Sequence, residues 1–218
     1  PSSAAKSLLA KTFGCSRFVY NTLLTEIKNK QNKSTEKQLK ERHSFLKDVD
    51  SIALQQSRIN LQTALKNLKE GNAKYPKFKT RKSRQSFRTV ATRGNIKIDF
   101  TNHTLKLPKM EPIKFKDNRT FTSPIRQVTV SKDKCGKYFA SILVEEFKEN
   151  VEVKPLTSNN TVGVDMGVAH YLTLSDGTKI NNPKFFVSLQ RKLKKIQRKF
   201  SKSIRGSKGR EKLRLKVA

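Results

Sequence analysis

An α+β fold is predicted: helices first, then short strands, then a strand pair leading into a basic helix. Three observations carry this. Apolar residues recur at helical spacing over residues 4–27 and again over 49–68. Short alternating runs broken by Pro and Gly fill residues 75–150. Beyond residue 160, an apolar run ends in the carboxylate of Asp165, and from Ser188 onward Lys and Arg dominate a helical pattern.

The first helix is set by Leu8, Leu9, Phe13, Phe18, Val19, Leu23, Leu24 and Ile27. Residues 28–44 are polar and suit either a short charged helix or a loop. The second periodic run uses Val49, Ile52, Ala53, Ile59, Leu61, Leu65 and Leu68. Asp48 or Asp50 can cap its start, and Gly71 ends it. Strands are expected over 95–100, 104–107, 127–130 and 138–144, with Lys132 to Lys137 as a hairpin turn. That many short strands at this spacing predict an antiparallel barrel. Residues 151–160 read as a polar linker. A buried strand over 161–165 follows, then Gly167, then a second strand over 169–174. Ser175-Asp176-Gly177 makes a tight turn into Lys179 and Ile180. The last stretch places Leu189, Leu193, Ile196 and Phe200 on one helical face. The chain starts at Pro1 rather than Met and stops at Ala218 inside the basic helical pattern, so a longer protein is expected.

Charge narrows the function. The 218 residues hold 48 Lys+Arg against 17 Asp+Glu, a formal net charge of +31. Solubility asks for a magnitude of only about 2–8 in a small domain. Like charges packed this densely repel one another, and a polyanion relieves the repulsion with release of counterions. No apolar run approaches the roughly 20 residues that span a bilayer, and no signal peptide is visible. Nucleic acid is therefore the expected partner, and a membrane is not. Cys15 and Cys135 stand far apart without CxxC spacing, which fits a reducing compartment and two buried small apolar residues, and gives no zinc site in this stretch.

Three stretches carry chemistry. From Tyr75 to Arg88 there are six cations, Lys77, Lys79, Arg81, Lys82, Arg84 and Arg88, and no acid. These suit phosphate contact. Tyr75, Phe78 and Phe87 can stack on bases, but packing beneath the barrel is the expected role. From Lys184 to Lys216 there are fourteen Lys/Arg and one acid, Glu211. Here Arg191, Lys194, Lys195, Arg198 and Lys199 read as a phosphate rail, broken by Gly206 and Gly209. The third stretch is Val162-Gly163-Val164-Asp165-Met166-Gly167. A carboxylate after a buried strand needs compensation. A divalent cation such as Mg²⁺ supplies it, since hard ions take carboxylate oxygens. An Asp that caps its own turn is the other reading, and spacing alone does not choose between them.

In order along the chain, Phe13-Gly14-Cys15-Ser16-Arg17-Phe18-Val19-Tyr20-Asn21, Ala53-Leu54-Gln55-Gln56-Ser57, Tyr75-Pro76-Lys77-Phe78-Lys79 with Gln85-Ser86-Phe87-Arg88, and Val162 to Gly167 with Leu174-Ser175-Asp176-Gly177 resemble the transposon-encoded OrfB/TnpB family of RNA-guided DNA endonucleases, compact relatives of the single-effector CRISPR nucleases. The resemblance implies a helical recognition domain (1–72) inserted in an oligonucleotide-binding-type barrel (73–155), then the start of a RuvC-type, RNase H-like nuclease domain (160–218). It assigns Asp165 as the first catalytic, metal-binding carboxylate, with Mg²⁺ as cofactor. It implies guide RNA and double-stranded target DNA as partners, in the prokaryotic cytoplasm at the nucleoid, with a monomer favoured. Readout of a short target-adjacent DNA motif falls on Gln55 and Thr92, with neighbours Ser51 and Ile52. Gln pairs bidentately with adenine, and Thr meets base edges or a thymine methyl. The family's remaining Glu and Asp, and its four-cysteine zinc ribbon, lie outside these 218 residues.

Two other readings share the charge. A nuclease-dead or truncated relative would occupy DNA as an RNA-guided repressor, but such a protein has no need of Asp165. A ribosomal-type RNA binder explains the cations and leaves the Gly-Val-Asp-Met-Gly strand without a purpose.

Overall fold

The computed structural model describes residues 1–32, 34–146, 155–157 and 161–218. The expected linker over 151–160 lies outside the described residues except for 155–157. The chain forms two compact units, Pro1–Phe147 and Lys148–Ala218.

The first unit opens with α1 (Ser3–Lys28), whose start is capped by Ser2, its hydroxyl accepting from Ala5 N. Its buried face is the predicted one, with Leu9, Phe13, Val19, Leu23 and Leu24 inside. A short helix α2 (Glu36–Arg42) occupies the polar stretch, started by a reciprocal Thr35–Gln38 capping box. A 3-10 turn (Ser44–Asp48) leads to α3 (Ser51–Lys69), capped by Asp50 rather than Asp48. Gly71 follows at φ 77, the left-handed position that lets the chain leave a helix.

Six strands among the described residues of this unit stand where a barrel was expected. In this unit they are β1 (Gln85–Val90), β2 (Lys97–Asp99), β3 (Thr104–Lys106), β4 (Ile113–Lys114), β5 (Ile125–Lys132) and β6 (Tyr138–Val144). They form two antiparallel sheets, β1-β5-β6 and β2-β3-β4. No closed barrel forms among the described residues. The reason is length: β2, β3 and β4 run two or three residues each, too short to hydrogen-bond across to the longer sheet. The β5–β6 hairpin turns where expected, with Asp133 Oδ1 accepting from Lys137 N at 2.7 Å and Gly136 at φ 87.

One core joins helices to both sheets: Leu9, Phe13 and Ala53 pack with Phe87, Ile96, Leu105, Leu107, Met110, Val128 and Val130. A second lies within the helices, around Val19, Leu24, Leu39, Leu46, Leu54 and Leu61. Cys15 belongs to this second core, whereas Cys135 is only half-buried at the β5–β6 turn, against the expectation of two buried thiols.

The second unit holds β7 (Val164–Asp165), β8 (His170–Leu174) and β9 (Lys179–Asn181) as an antiparallel sheet in chain order. Then come α4 (Phe185–Lys202) and α5 (Lys208–Val217). The strand at Asp165 is shorter than predicted and is not buried: Val162 is 51% exposed and Val164 56%. It pairs on one side only, with β8, so its apolar side chains stay open within the described residues. No helix among them is long and apolar enough to cross a membrane.

Candidate nucleic-acid interface and carboxylate site

The stretch from Tyr75 to Arg88 is held against α1 by side chains far away in sequence. Asn21 grips the backbone of Lys79 twice, donating from Nδ2 to the carbonyl at 2.8 Å and accepting from the amide at 2.8 Å. Arg17 donates to Gln85 Oε1 at 2.9 Å. Gln85 Nε2 in turn donates to the carbonyls of Ser83, at 2.8 Å, and Arg81, at 3.0 Å. The loop is therefore ordered before any partner arrives, which lowers the entropy lost on binding.

On this frame Lys77, Arg81, Lys82 and Arg84 are exposed, while Lys79 and Arg88 are half-buried. Lys79 Nζ sits 4.1 Å from the centre of the Tyr20 ring, and burial lowers its pKa below the ordinary lysine value. Tyr75 and Phe78 are 43% and 44% exposed, so they do not pack beneath the sheets as predicted. Pro76 is the buried residue between them. Instead the Lys28 ammonium lies over both rings, 5.6 Å from Tyr75 and 4.6 Å from Phe78. Phe87 alone behaves as expected, buried against Phe13.

Three of the expected readout residues, Ser51, Ile52 and Gln55, lie at the start of α3. Ser51 and Gln55 stand four apart and share a face. Gln55 is exposed; Ser51 and Ile52 are half-exposed. The Ser51 hydroxyl is already met by Lys40, whose Nζ donates at 2.7 Å, and Arg58 ties α3 to Glu36 of α2 at 3.1 Å. Asp50 accepts from the Thr89 hydroxyl at 2.5 Å, fixing the α3 start to β1. Thr92 is exposed three residues later, within about 10 Å of chain. It begins a turn closed by Asn95 N donating to its carbonyl at 3.1 Å, with Arg93 and Gly94 both at positive φ. The Asp50–Thr89 bond thus joins the start of α3 to the strand that leads into Thr92.

In the second unit Arg191, Lys194, Lys195, Arg198 and Lys199 are all exposed on α4. The opposite seam is also open, with Phe186 75% and Leu189 62% exposed. Gly206 at φ 84 ends the rail, but Gly209 does not break it, since it lies in the first turn of α5. Arg210 closes the corner: its guanidinium donates to the Phe200 carbonyl at 2.9 Å and the Ser203 carbonyl at 2.7 Å, and covers the Phe200 ring.

Asp165 ends β7 opposite Thr173, and its neighbours are locked. Gly163 N donates to Ser175 Oγ at 3.0 Å, and Ser175 N to the Gly163 carbonyl at 2.9 Å. A side chain at Gly167 would come within 3.1 Å of the His170 carbonyl. The Ser175-Asp176-Gly177 turn forms as predicted, with Asp176 accepting from Thr178 N at 2.8 Å, a bond that lowers the carboxyl pKa. A carboxylate is a hard donor suited to Mg²⁺, but no group of three His, Cys, Asp or Glu among the described residues stands ready to hold an ion. Asp165 can supply one ligand of such a site and no more.

The sequence assigns no site role to Lys28 or Lys40, and places Arg17 and Asn21 in a family-like stretch without saying what they hold. Asn21 was detectable as a polar residue beside the apolar face of a helix. The others act through contacts that only the fold creates.

Comparison with known proteins places these features. The OrfB family model of IS605 type, described as a probable transposase, matches residues 141–218. A companion model described as a helix-turn-helix domain matches residues 1–35, which here are α1 and the turn before α2. A putative RNA-guided DNA endonuclease of Streptomyces pristinaespiralis is 34% identical across 100% of the chain and 56% of its own length. The putative RNA-guided DNA endonuclease InsQ of Escherichia coli (strain K12) is 36% identical across 79% of the chain and 41% of its own length. The chain spans about half the length of these relatives. With matching models at both of its ends and a relative aligned throughout, the chain belongs to the transposon-encoded OrfB/TnpB family.

Proposed function

We propose that this chain is the N-terminal part of an RNA-guided, metal-dependent DNA endonuclease encoded by a transposon. The observation that carries the reading is Asp165, placed at the end of the first strand of a three-stranded antiparallel sheet that leads into a cationic helix. That arrangement suits the opening of an RNase H-like domain over residues 160–218. The two sheets of the first unit, sharing a core with α1 and α3, are read as an open form of an oligonucleotide-binding-type fold carrying the helical recognition segment.

Each group has a part. Exposed cations of the Tyr75–Arg88 stretch and of α4 hold phosphates and set register, which carries no sequence information. Gln55, Thr92, Ser51 and Ile52 meet base edges of a short duplex motif, while pairing with a guide RNA reads the remaining sequence. Asp165 would hold Mg²⁺ through a carboxylate oxygen. When bound, such an ion stabilises charge on the attacking and leaving oxygens of a phosphodiester. The rest of the ligand set comes from outside these 218 residues.

The test is cleavage of a plasmid carrying a guide-matched target, using the longer protein with its RNA and Mg²⁺, as wild type and as Asp165→Ala. Loss of cutting with retained binding is expected in the variant. Equal cutting removes Asp165 from the mechanism, and binding without cutting by either protein establishes the repressor reading instead.

A further inference from the structure

The first unit contains a cleft between α1, α3 and the start of β1 whose chemistry calls for an anion. It measures about 30 Å³. Its lining includes Arg17, Lys79, Arg84 and Arg88 and no carboxylate. Two polar atoms there are buried without a hydrogen-bond partner, the Ser16 hydroxyl and Arg88 Nε. Ser16 is 6% exposed. Its carbonyl accepts from the Ser57 hydroxyl, while its own hydroxyl has no partner. A buried hydroxyl without a partner costs free energy, and so does the desolvation of a half-buried ammonium that the Tyr20 ring offsets only in part. An anion in the cleft offers the hydroxyl an acceptor and the ammonium a counter-charge.

Size selects the anion. One water-sized position needs roughly 10–15 Å³ measured this way, so the cleft takes about two oxygens. That fits the non-bridging oxygens of one phosphate and excludes a nucleobase. We infer that this cleft is a dedicated phosphodiester seat, in which Ser16 and Lys79 hold one backbone phosphate of the bound nucleic acid. The inference rests on the proposed nucleic-acid function and adds a single fixed point to an otherwise diffuse cationic surface. Because Arg17 also orders the Gln85 loop, a phosphate seated here sets the register of the strand against that loop.

The experiment pairs stability with binding. Melting temperature and affinity are measured for wild type, Ser16→Ala and Lys79→Met, with Lys195→Met as a cationic control in the other unit. The probes are a labelled 30-base-pair DNA duplex and a labelled RNA hairpin, each over a range of salt. A seat predicts opposite signs: Ser16→Ala raises the melting temperature of the free chain yet weakens binding roughly tenfold. Lys79→Met does the same and lowers the salt slope by about one. Whichever probe shows the Ser16→Ala loss identifies the source of the phosphate. If Ser16→Ala leaves affinity for both probes unchanged while Lys195→Met weakens it, the seat is refuted and the general binding function stands. If wild type binds neither probe, the function itself fails. A lower melting temperature for Ser16→Ala shows that the hydroxyl has a structural partner and also overturns the inference.

Discussion

Replacing Asp50 with Ala tests how the start of α3 is held. Asp50 is 8% exposed and does two jobs. One oxygen caps α3 by accepting from Ile52 N at 3.1 Å, and the other accepts from the Thr89 hydroxyl at 2.5 Å. Loss of an N-cap costs about 1 kcal/mol. Thr89 is 0% exposed, so its hydroxyl would be orphaned, at a further cost of about 1–3 kcal/mol. The sum is about 2–4 kcal/mol, a large share of the roughly 5–15 kcal/mol that holds a domain together. At a urea slope of about 2 kcal/mol/M, the midpoint falls by about 1–2 M. Urea unfolding followed by circular dichroism reads this directly. Asp50→Asn keeps one acceptor oxygen for Ile52 N, and its amide Nδ2 can donate to the Thr89 hydroxyl oxygen, so it should recover part of the loss. Asp48→Ala is the control, two residues away: Asp48 is exposed and pairs with the exposed Lys11, with Lys109 a weaker charge nearby, so its removal should barely move the midpoint. Equal losses for Asp48→Ala and Asp50→Ala would show that the Thr89 bond and the cap at Asp50 do not hold the start of α3.

Other outcomes follow from the same structure. In the first unit, Gln55→Ala should relax the motif preference by about 1–3 kcal/mol of discrimination, whereas Lys195→Ala on α4 should weaken binding evenly across sequences and lower the salt slope by about one; competition with variant duplexes over a salt series separates the two. Burial raises the Cys15 thiol pKa, so a thiol reagent at pH 8 should label Cys135 in the folded chain and Cys15 only after unfolding, counted by intact mass. Asp48, Asp99, Asp117, Asp176 and Glu211 all have lowered pKa values in the fold, Asp117 to about 2 through its hydrogen bonds from Arg119. The unfolded chain therefore binds more protons in acid, and stability present above the ordinary carboxylate range is lost as pH falls through the folded values. Carboxylate NMR should show Asp117 titrating last, and a normal value there would contradict the Arg119 pairing.

Local signals were legible in the sequence, and contacts distant along the chain were not. The apolar spacing of Leu9, Phe13, Val19 and Leu23 gave α1, and Asp133 with Gly136 gave the β5–β6 turn, because each depends on neighbours a few residues away. The choice between Asp48 and Asp50 was not legible, since it turns on Thr89, thirty-nine residues on. The barrel was predicted from strand count, but closure depends on strand length, and β2 to β4 are too short. Tyr75 and Phe78 were expected inside because aromatics usually bury; Lys28 keeps them at the surface as cation-bearing rings. In the site, the cations and Asp165 were found by type and spacing. The buried hydroxyl of Ser16 and the grip of Asn21 on Lys79 were not, since neither changes the composition of its own stretch.

In the proposed function the cations of this chain hold an RNA that directs it to DNA. The most direct measurement is affinity for a guide-matched DNA duplex by the protein purified with its RNA, before and after nuclease removal of that RNA. The account predicts tight, sequence-matched binding with RNA present and only weak, salt-sensitive, sequence-blind binding without it. Equal affinity and equal selectivity in both states would contradict it.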